Sequence, residues 1–439
     1  MKYSIVTFGC RVNQADSLRL EEDLRARGGV ETASRDADLV IVNTCSVTAT
    51  ADQGARQAIR RIARENPAAK IVATGCYATR CGDEVAALPG VVRVVRNAEK
   101  LDLVRLFAEG SPAGPTFPPS PEASAAGVAA EIGDGPCGKP IEPGVAGRTA
   151  FTIRAQTGCE EHCAYCIIPS TRGASRSLPV SNLVRDVARV SAAGFKEVTL
   201  TGVHLGSYGR DLDPPCSLLD LLRGLDALPG DVSFRISSLE PMDCTPAIVE
   251  FVSASDRFLP HFHLPLQHAS DRMLAAMRRP YLLDDYRRLI DAITARLPHA
   301  AIGTDMIAGF PGETDEDFAA NLEYLPSSPL SHLHVFPYSD RPGTAASSMT
   351  GKVHGSVIRE RGARLREMGA ALSRRFRESQ IGSIRPGLTL EDGTLVVTDN
   401  YLKVRIQPGR ARNERVRVRI RSGSDSPAAA LEISGETIP

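Results

Sequence analysis

Short apolar runs alternate with helical stretches along most of this chain, and no other feature of the sequence limits its fold as strongly. In the first hundred residues the strand-like runs cover 3–7, 39–42, 71–74 and 91–95, with helical periodicity over 14–27 and 49–64. Such a βαβα series folds as an open parallel α/β domain, here expected over 1–107. From 108 to 146 the composition turns to Gly, Pro, Ala and Ser without periodicity, which reads as a flexible linker. A second series then places strands near 151–155, 198–201, 232–237, 262–267, 302–307 and 334–338, each but the last followed by a helical pattern. Six such units imply an incomplete (β/α)6 barrel over 147–380, closed by the charged helical stretch 357–378. The remainder, 381–439, reads as short alternating strands and so as a small β-barrel of OB-fold size. The chain is thus an α/β multidomain protein. Its 439 residues exceed one ordinary core, and its 42% hydrophobic content can fill several.

Lys+Arg and Asp+Glu balance at 52 each, so any nucleic-acid surface must be local. No apolar run approaches the roughly 18 to 20 residues that span a bilayer. The opening segment, beginning Met1 and Lys2, lacks the apolar region of a signal peptide. A cytoplasmic protein without a membrane partner is therefore expected. In that compartment ten cysteines do not form a disulfide framework, and clustered ones more often bind metal.

Cys159, Cys163 and Cys166 stand at x3 and x2 spacing just after the first barrel strand. A 4Fe-4S cluster normally takes four thiolates, so three leave one iron open to a substrate or cofactor. The competing reading is a structural Cys3His zinc site using His162, against which the crowded His162-Cys163 step argues. Cys10, Cys45 and Cys76 each follow a strand of the first domain and precede a helix. In an open parallel sheet the carboxyl ends of the strands share one edge, so these distant residues can converge as a second three-cysteine cluster site. Each could otherwise be a buried apolar cysteine. Cys81, Cys137, Cys216 and Cys244 match no motif and are expected to be bystanders.

The stretch from Cys159 through Pro169-Ser170-Thr171-Arg172-Gly173 resembles the radical S-adenosylmethionine methylthiotransferase family. So do Thr201 to Gly209, Leu264-Pro265-Leu266-Gln267, Asp305 to Thr314 and Phe336-Pro337-Tyr338-Ser339. The segments around Cys10, Cys45 and Cys76 are similar to that family's N-terminal domain, whose cysteines carry an auxiliary 4Fe-4S cluster. The resemblance implies a radical S-adenosylmethionine barrel, two 4Fe-4S clusters and S-adenosylmethionine as both methyl donor and radical source, with no acid-base residue needed beyond the cluster ligands. It places Tyr165 against the cofactor adenine, unless that ring is ordinary packing. Gly202, at a strand end, is a candidate for close backbone approach to the cofactor or simply a turn. Arg235 suits a cofactor carboxylate or a structural ion pair.

In the tail, Arg415, Arg417, Arg419 and Arg421 alternate with Val416, Val418 and Ile420, which puts four guanidiniums on one strand face. Tyr401, Lys403 and Arg405 repeat the pattern, so two neighbouring strands would form a basic platform for phosphates, with Tyr401 stacking a base. Such a strand face also resists edge aggregation without binding anything. A compact barrel with this surface resembles the family's TRAM domain. The motif texts and His204 most resemble the branch that methylthiolates carbon 2 of N6-threonylcarbamoyladenosine at tRNA position 37, in the anticodon stem-loop. The alternatives are the same chemistry on isopentenyladenosine tRNA or a ribosomal protein, and a non-catalytic RNA-binding iron-sulfur protein. The family's scheme also requires a sulfur donor and a reducing partner, which no motif identifies.

Overall fold

The computed structural model describes residues 1–108, 149–422 and 433–438 and divides into two compact units. The first lies within Met1–Ile141 and also takes in Thr157–Glu161 and Cys166–Ala174. The second comprises Glu142–Gln156, His162–Tyr165 and Ser175–Pro439. Nearly all of the expected linker, with Cys137, falls in 109–148 and lies outside the described residues.

The first unit is built on strands β1 (Lys2–Thr7), β2 (Val30–Glu31), β3 (Leu39–Thr44), β4 (Lys70–Gly75) and β5 (Val91–Val95). They form one parallel sheet in the order β2-β1-β3-β4-β5. Strand β3 is buried at all six positions because helices cover both faces. On one face Ile59 and Ile62 of helix α2 (Ala49–Glu65) pack with Val40, Val42, Ile71 and Ala73. On the other, Leu20 and Leu24 of helix α1 (Arg11–Ala26) pack with Leu39, Ile41 and Val72. Helix α1 starts three residues before the expected position 14. Polar Asn13 hides the apolar period there, yet it is fully buried and donates Nδ2 to the carbonyls of Phe8 and Thr44. In this strand order the connections leave β1 in opposite directions toward β2 and β3, so a binding crevice opens at the carboxyl ends of β1 and β3.

The second unit begins with β6 (Phe151–Arg154) and a short ribbon of β7 (Gln156–Thr157) and β8 (Arg176–Ser177), whose β7 continues into the first unit. Next come β9 (Glu197–Thr201), β10 (Ser233–Ile236), β11 (His261–His263), β12 (Ala301–Ala308) and β13 (His332–Pro337). Strands β6, β9 and β10 pair in parallel, as do β11, β12 and β13. Single parallel bridges, Phe234 to Phe258 and Ser238 to His263, join the two sets into the expected six-stranded partial barrel. The helix Gly355–Gln380 packs along β13, with Leu333 against Gly369.

A closed barrel follows, made of β14 (Ile384–Leu390), β15 (Leu395–Thr398), β16 (Lys403–Arg405), β17 (Arg415–Ser422) and β18 (Ile433–Ile438). The expected C-terminal barrel is present, its first strand starting three residues after the expected position 381, and it lies within the same compact unit as the β/α strands. Polar side chains fasten it to the amino-terminal side of those strands. Asn400 donates to the His299 carbonyl at 2.9 Å, Asn413 to that of Gly194 at 2.8 Å, and Arg415 to that of Lys196 at 3.0 Å. Such long-range ties carry no periodic signature.

Candidate metal centres and nucleic-acid interface

Cys10 ends the β1 turn and occupies the residue before α1, Cys45 follows β3, and Cys76 opens the short helix Cys76–Arg80 after β4. Cys10 is exposed, whereas Cys45 and Cys76 are buried. The turn passes so tightly over Cys45 that a Cβ on Gly9 would lie 2.4 Å from both its Cβ and its Sγ. Gly9 also has φ +91°, a conformation that any residue with a side chain adopts only under strain. Burial pushes the Cys45 thiol up to about 11; its neighbours Cys10 and Cys76 add to that rise, while the N–H groups of Val47 and Ser46 oppose it. Three thiols in mutual electrostatic reach, with N–H donors aimed at sulfur, suit a metal cluster that deprotonates them and neutralises their charge.

A buried polar network lies beneath these cysteines. Asp16 Oδ2 accepts from Lys100 Nζ at 2.9 Å and Arg172 Nη2 at 3.3 Å, and Asn13 Oδ1 accepts from the same two cations at 3.2 and 2.5 Å. Burial lowers Lys100, opposed by Asp16. Burial also opposes the charge on Arg172, but Asp16, Cys76 and Cys10 outweigh it and hold the guanidinium protonated. Asn97 Nδ2 donates to Cys76 Sγ at 3.6 Å and to the Thr171 carbonyl at 2.9 Å. Sequence patterns nominated none of Asp16, Asn97, Lys100 or Arg172. Lys100 is flanked by exposed Glu99 and Leu101, and Arg172 follows polar Ser170 and Thr171, so local sequence carried no signal of their burial.

Cys159, Cys163 and Cys166 are all half-buried on their loop. Cys159 N donates to the Gly173 carbonyl at 3.0 Å in the first unit. In the second unit, Ala164 N donates to the Met277 carbonyl at 3.0 Å, and the Ala164 carbonyl accepts from Ala346 N at 2.8 Å. Arg279 Nη1 donates to Cys163 Sγ at 3.1 Å while its other nitrogens engage Glu240 and Tyr281. Tyr165 is half-buried against Met273, Met277, Ile307 and Phe310. Gly202 follows β9, and a Cβ there would meet Leu205 at 2.8 Å and Gln156 Oε1 at 3.1 Å. Of the two readings of Arg235, the structure shows the ion pair. Its Nε lies 3.1 Å from Glu197 Oε1, and Nη1 donates to the Asp399 carbonyl at 3.0 Å, so the side chain fastens β10 to the closed barrel. The expectation of a cofactor carboxylate at Arg235 is corrected accordingly, because its donors already have buried partners.

One cluster escaped the sequence reading altogether. His263 on β11, Asp305 on β12 and His334 on β13 meet across three adjacent parallel strands. Asp305 Oδ1 lies 2.9 Å from His263 Nε2 and 3.2 Å from His334 Nδ1. Burial opposes its ionisation, but the two imidazoles hold the carboxyl down at about 2. Burial presses His332 down to about 4, with His334 and His263 adding to the effect. The i, i+2 pairs His261/His263 and His332/His334 were visible, but their meeting depends on strand register.

The closed barrel revises the basic platform. Val416, Val418 and Ile420 are buried and the four arginines exposed, as alternation predicts. The two basic strands are not neighbours, however: β18 pairs with both β16 and β17 and lies between them. Two of the arginines have partners within the chain. Arg415 binds Asp231 at 2.9 Å and Ser233 at 3.0 Å, and Arg421 pairs with Glu436. Arg417, Arg419, Lys403 and Arg405 are exposed on their strands. Tyr401, expected to stack a base, packs its ring on His261 at 4.5 Å and on the Arg235 guanidinium at 4.8 Å. All nine described cysteines are free, Cys81, Cys216 and Cys244 among them. Among the described residues no helix is long and apolar enough to cross a membrane.

A partial (β/α)6 barrel entered through a Cys-x3-Cys-x2-Cys loop defines a radical S-adenosylmethionine protein. The family models agree: residues 153–325 match the Radical SAM superfamily, and residues 2–96 match Uncharacterized protein family UPF0004. Among solved structures, the radical S-adenosylmethionine methyltransferase TsrM from Kitasatospora setae shares the fold with TM-score 0.55 at 16% identity, over 79% of this chain and 74% of that one. The threonylcarbamoyladenosine tRNA methylthiotransferase MtaB of Aquifex aeolicus is 34% identical over 96% of this chain and all of its own length. That of Thermotoga maritima is 36% identical over 90% of this chain and 89% of its own. The chain belongs to this MtaB family of radical S-adenosylmethionine methylthiotransferases.

Proposed function

We propose that this protein methylthiolates carbon 2 of N6-threonylcarbamoyladenosine at position 37 of tRNA, in the cytoplasm. The observation that carries the reading is the pair of three-cysteine sets, one on the barrel loop and one at the carboxyl edge of the first sheet. Cys159, Cys163 and Cys166 would hold the cluster that binds S-adenosylmethionine, and Cys10, Cys45 and Cys76 an auxiliary cluster. These cofactors supply a carbon radical able to remove an unactivated hydrogen, and a site for the sulfur to be inserted. The chain's own residues bind, orient and shield. Tyr165 offers an apolar ring for the cofactor adenine, and Gly202, packed against Leu205 and Gln156, a strand-end backbone for close approach. Arg279 fixes the orientation of the Cys163 sulfur. Arg417, Arg419, Lys403 and Arg405 offer exposed charge for phosphates of the anticodon stem-loop.

Mass spectrometry of tRNA nucleosides from a strain lacking the gene tests the substrate. The 2-methylthio derivative of threonylcarbamoyladenosine should vanish while its precursor accumulates; an unchanged level rejects the assignment. Iron analysis of the reconstituted protein should find about eight irons per chain, and about four would reject the second cluster.

A further inference from the structure

Arg172 is the least expected group in the first unit. It is 5% exposed, and its Nε–H is buried without a hydrogen-bond partner although both terminal nitrogens are engaged. A buried orphan donor on a charged group is costly enough to call for an explanation. The surrounding charges supply a second anomaly. Two buried cations, Lys100 and Arg172, share the single carboxylate of Asp16. Excess buried positive charge is stable only beside an anion. Cys76 and Cys10 are the groups near Arg172 that become anionic on binding iron; both act on its guanidinium electrostatically, and the Cys76 side chain also hydrogen-bonds it, while Nε is left over. The other three-cysteine set repeats the device: Arg279, buried beside Glu240, donates to Cys163.

We propose that Arg172 is a positioning residue for the auxiliary cluster, its Nε–H donating to a cluster sulfur and its charge favouring the reduced state. This rests on the reading of Cys10, Cys45 and Cys76 as cluster ligands. Each electron added to the cluster adds negative charge, and a nearby buried cation stabilises that charge more strongly than solvent could. Hydrogen bonds to cluster sulfurs act in the same direction on the reduction potential. Asp16 opposes the effect by neutralising part of the cation's field while fixing the guanidinium plane. The orphan donor therefore gains its acceptor when the cluster is in place.

The test uses the full chain with Cys159, Cys163 and Cys166 replaced by Ala, so that the auxiliary cluster is observed alone. After anaerobic reconstitution, iron and sulfide are counted and the midpoint potential is read by EPR-monitored titration. Arg172→Met should reduce the reduced-to-oxidised ratio at a given potential about tenfold, a fall of ~59 mV for one electron. Asp16→Asn should move the potential upward, and Arg172→Lys should fall between Arg172→Met and the parent. In the Met variant Asp16 keeps Lys100 as partner, and in the Asn variant Asn13 still accepts from both cations. If Arg172→Met holds no cluster, the Lys and Asn variants carry the test with the same required signs. An unmoved potential, or shifts of one sign in both, overturns the role of Arg172 while leaving the cluster assignment intact. A parent that binds no iron overturns the assignment itself.

Discussion

Gly9 shows how closely the turn after β1 is built around a neighbouring cysteine. A methyl group there would occupy the space of the Cys45 side chain, and the backbone conformation is already one that disfavours a Cβ. We expect Gly9→Ala to destabilise the apoprotein by about 1–3 kcal/mol. It should also lower iron uptake at Cys10, Cys45 and Cys76. Denaturant midpoints of the apoprotein and iron counts after reconstitution check the two effects separately. His332 gives a second expectation, this one in pH. Unfolded, its imidazole takes a proton near 6.5; folded, it resists until about 4. Between those values the unfolded chain binds more protons, so stability falls as pH drops from 6.5 toward 4. His332→Asn should flatten that part of the profile, and an unchanged slope would assign the acid sensitivity to other groups.

The basic strand β17 divides into positions with different duties. Arg417 and Arg419 are exposed, whereas Arg415 hydrogen-bonds Asp231, Ser233 and the Lys196 carbonyl beneath the β/α strands. Reversing charge at Arg417 and Arg419 should weaken tRNA binding and flatten its dependence on salt, the log-log slope falling by about 1 for each phosphate no longer neutralised. Cleavage of S-adenosylmethionine should be nearly unaffected. Arg415→Ala should instead cost roughly 1–2 kcal/mol of stability through the missing hydrogen bonds, with a smaller effect on the salt slope. Equal behaviour of the two variants in binding and melting experiments would refute this division. Alternation alone assigned all four arginines one role, because it records which face a side chain takes and nothing of what that face meets. Nor could alternation show that the exposed Tyr401 packs its ring on His261 and Arg235, residues more than 100 positions away in the chain.

For the protein as a whole, the elements themselves were legible in the amino-acid order. Strands β1, β3, β4, β5 and all six strands of the partial barrel fall at or near their expected places, each marked by a short apolar run; in β3, covered by helices on both faces, four apolar residues follow one another. The spacing of Cys159, Cys163 and Cys166 was likewise written in covalent order. So was the placement of Cys10, Cys45 and Cys76 after successive strands, from which their shared edge followed by topology. Partnership was another matter. The Asp16, Lys100 and Arg172 network, the His263, Asp305 and His334 cluster, and the insertion of β18 between the basic strands depend on register and on competition among buried charges. Those are decided between residues far apart in sequence, where neither periodicity nor spacing carries information. The spacing of the cysteines could thus be read from the order of residues, while the buried charges beside Cys76 and Cys163 were decided only when the chain had closed around them.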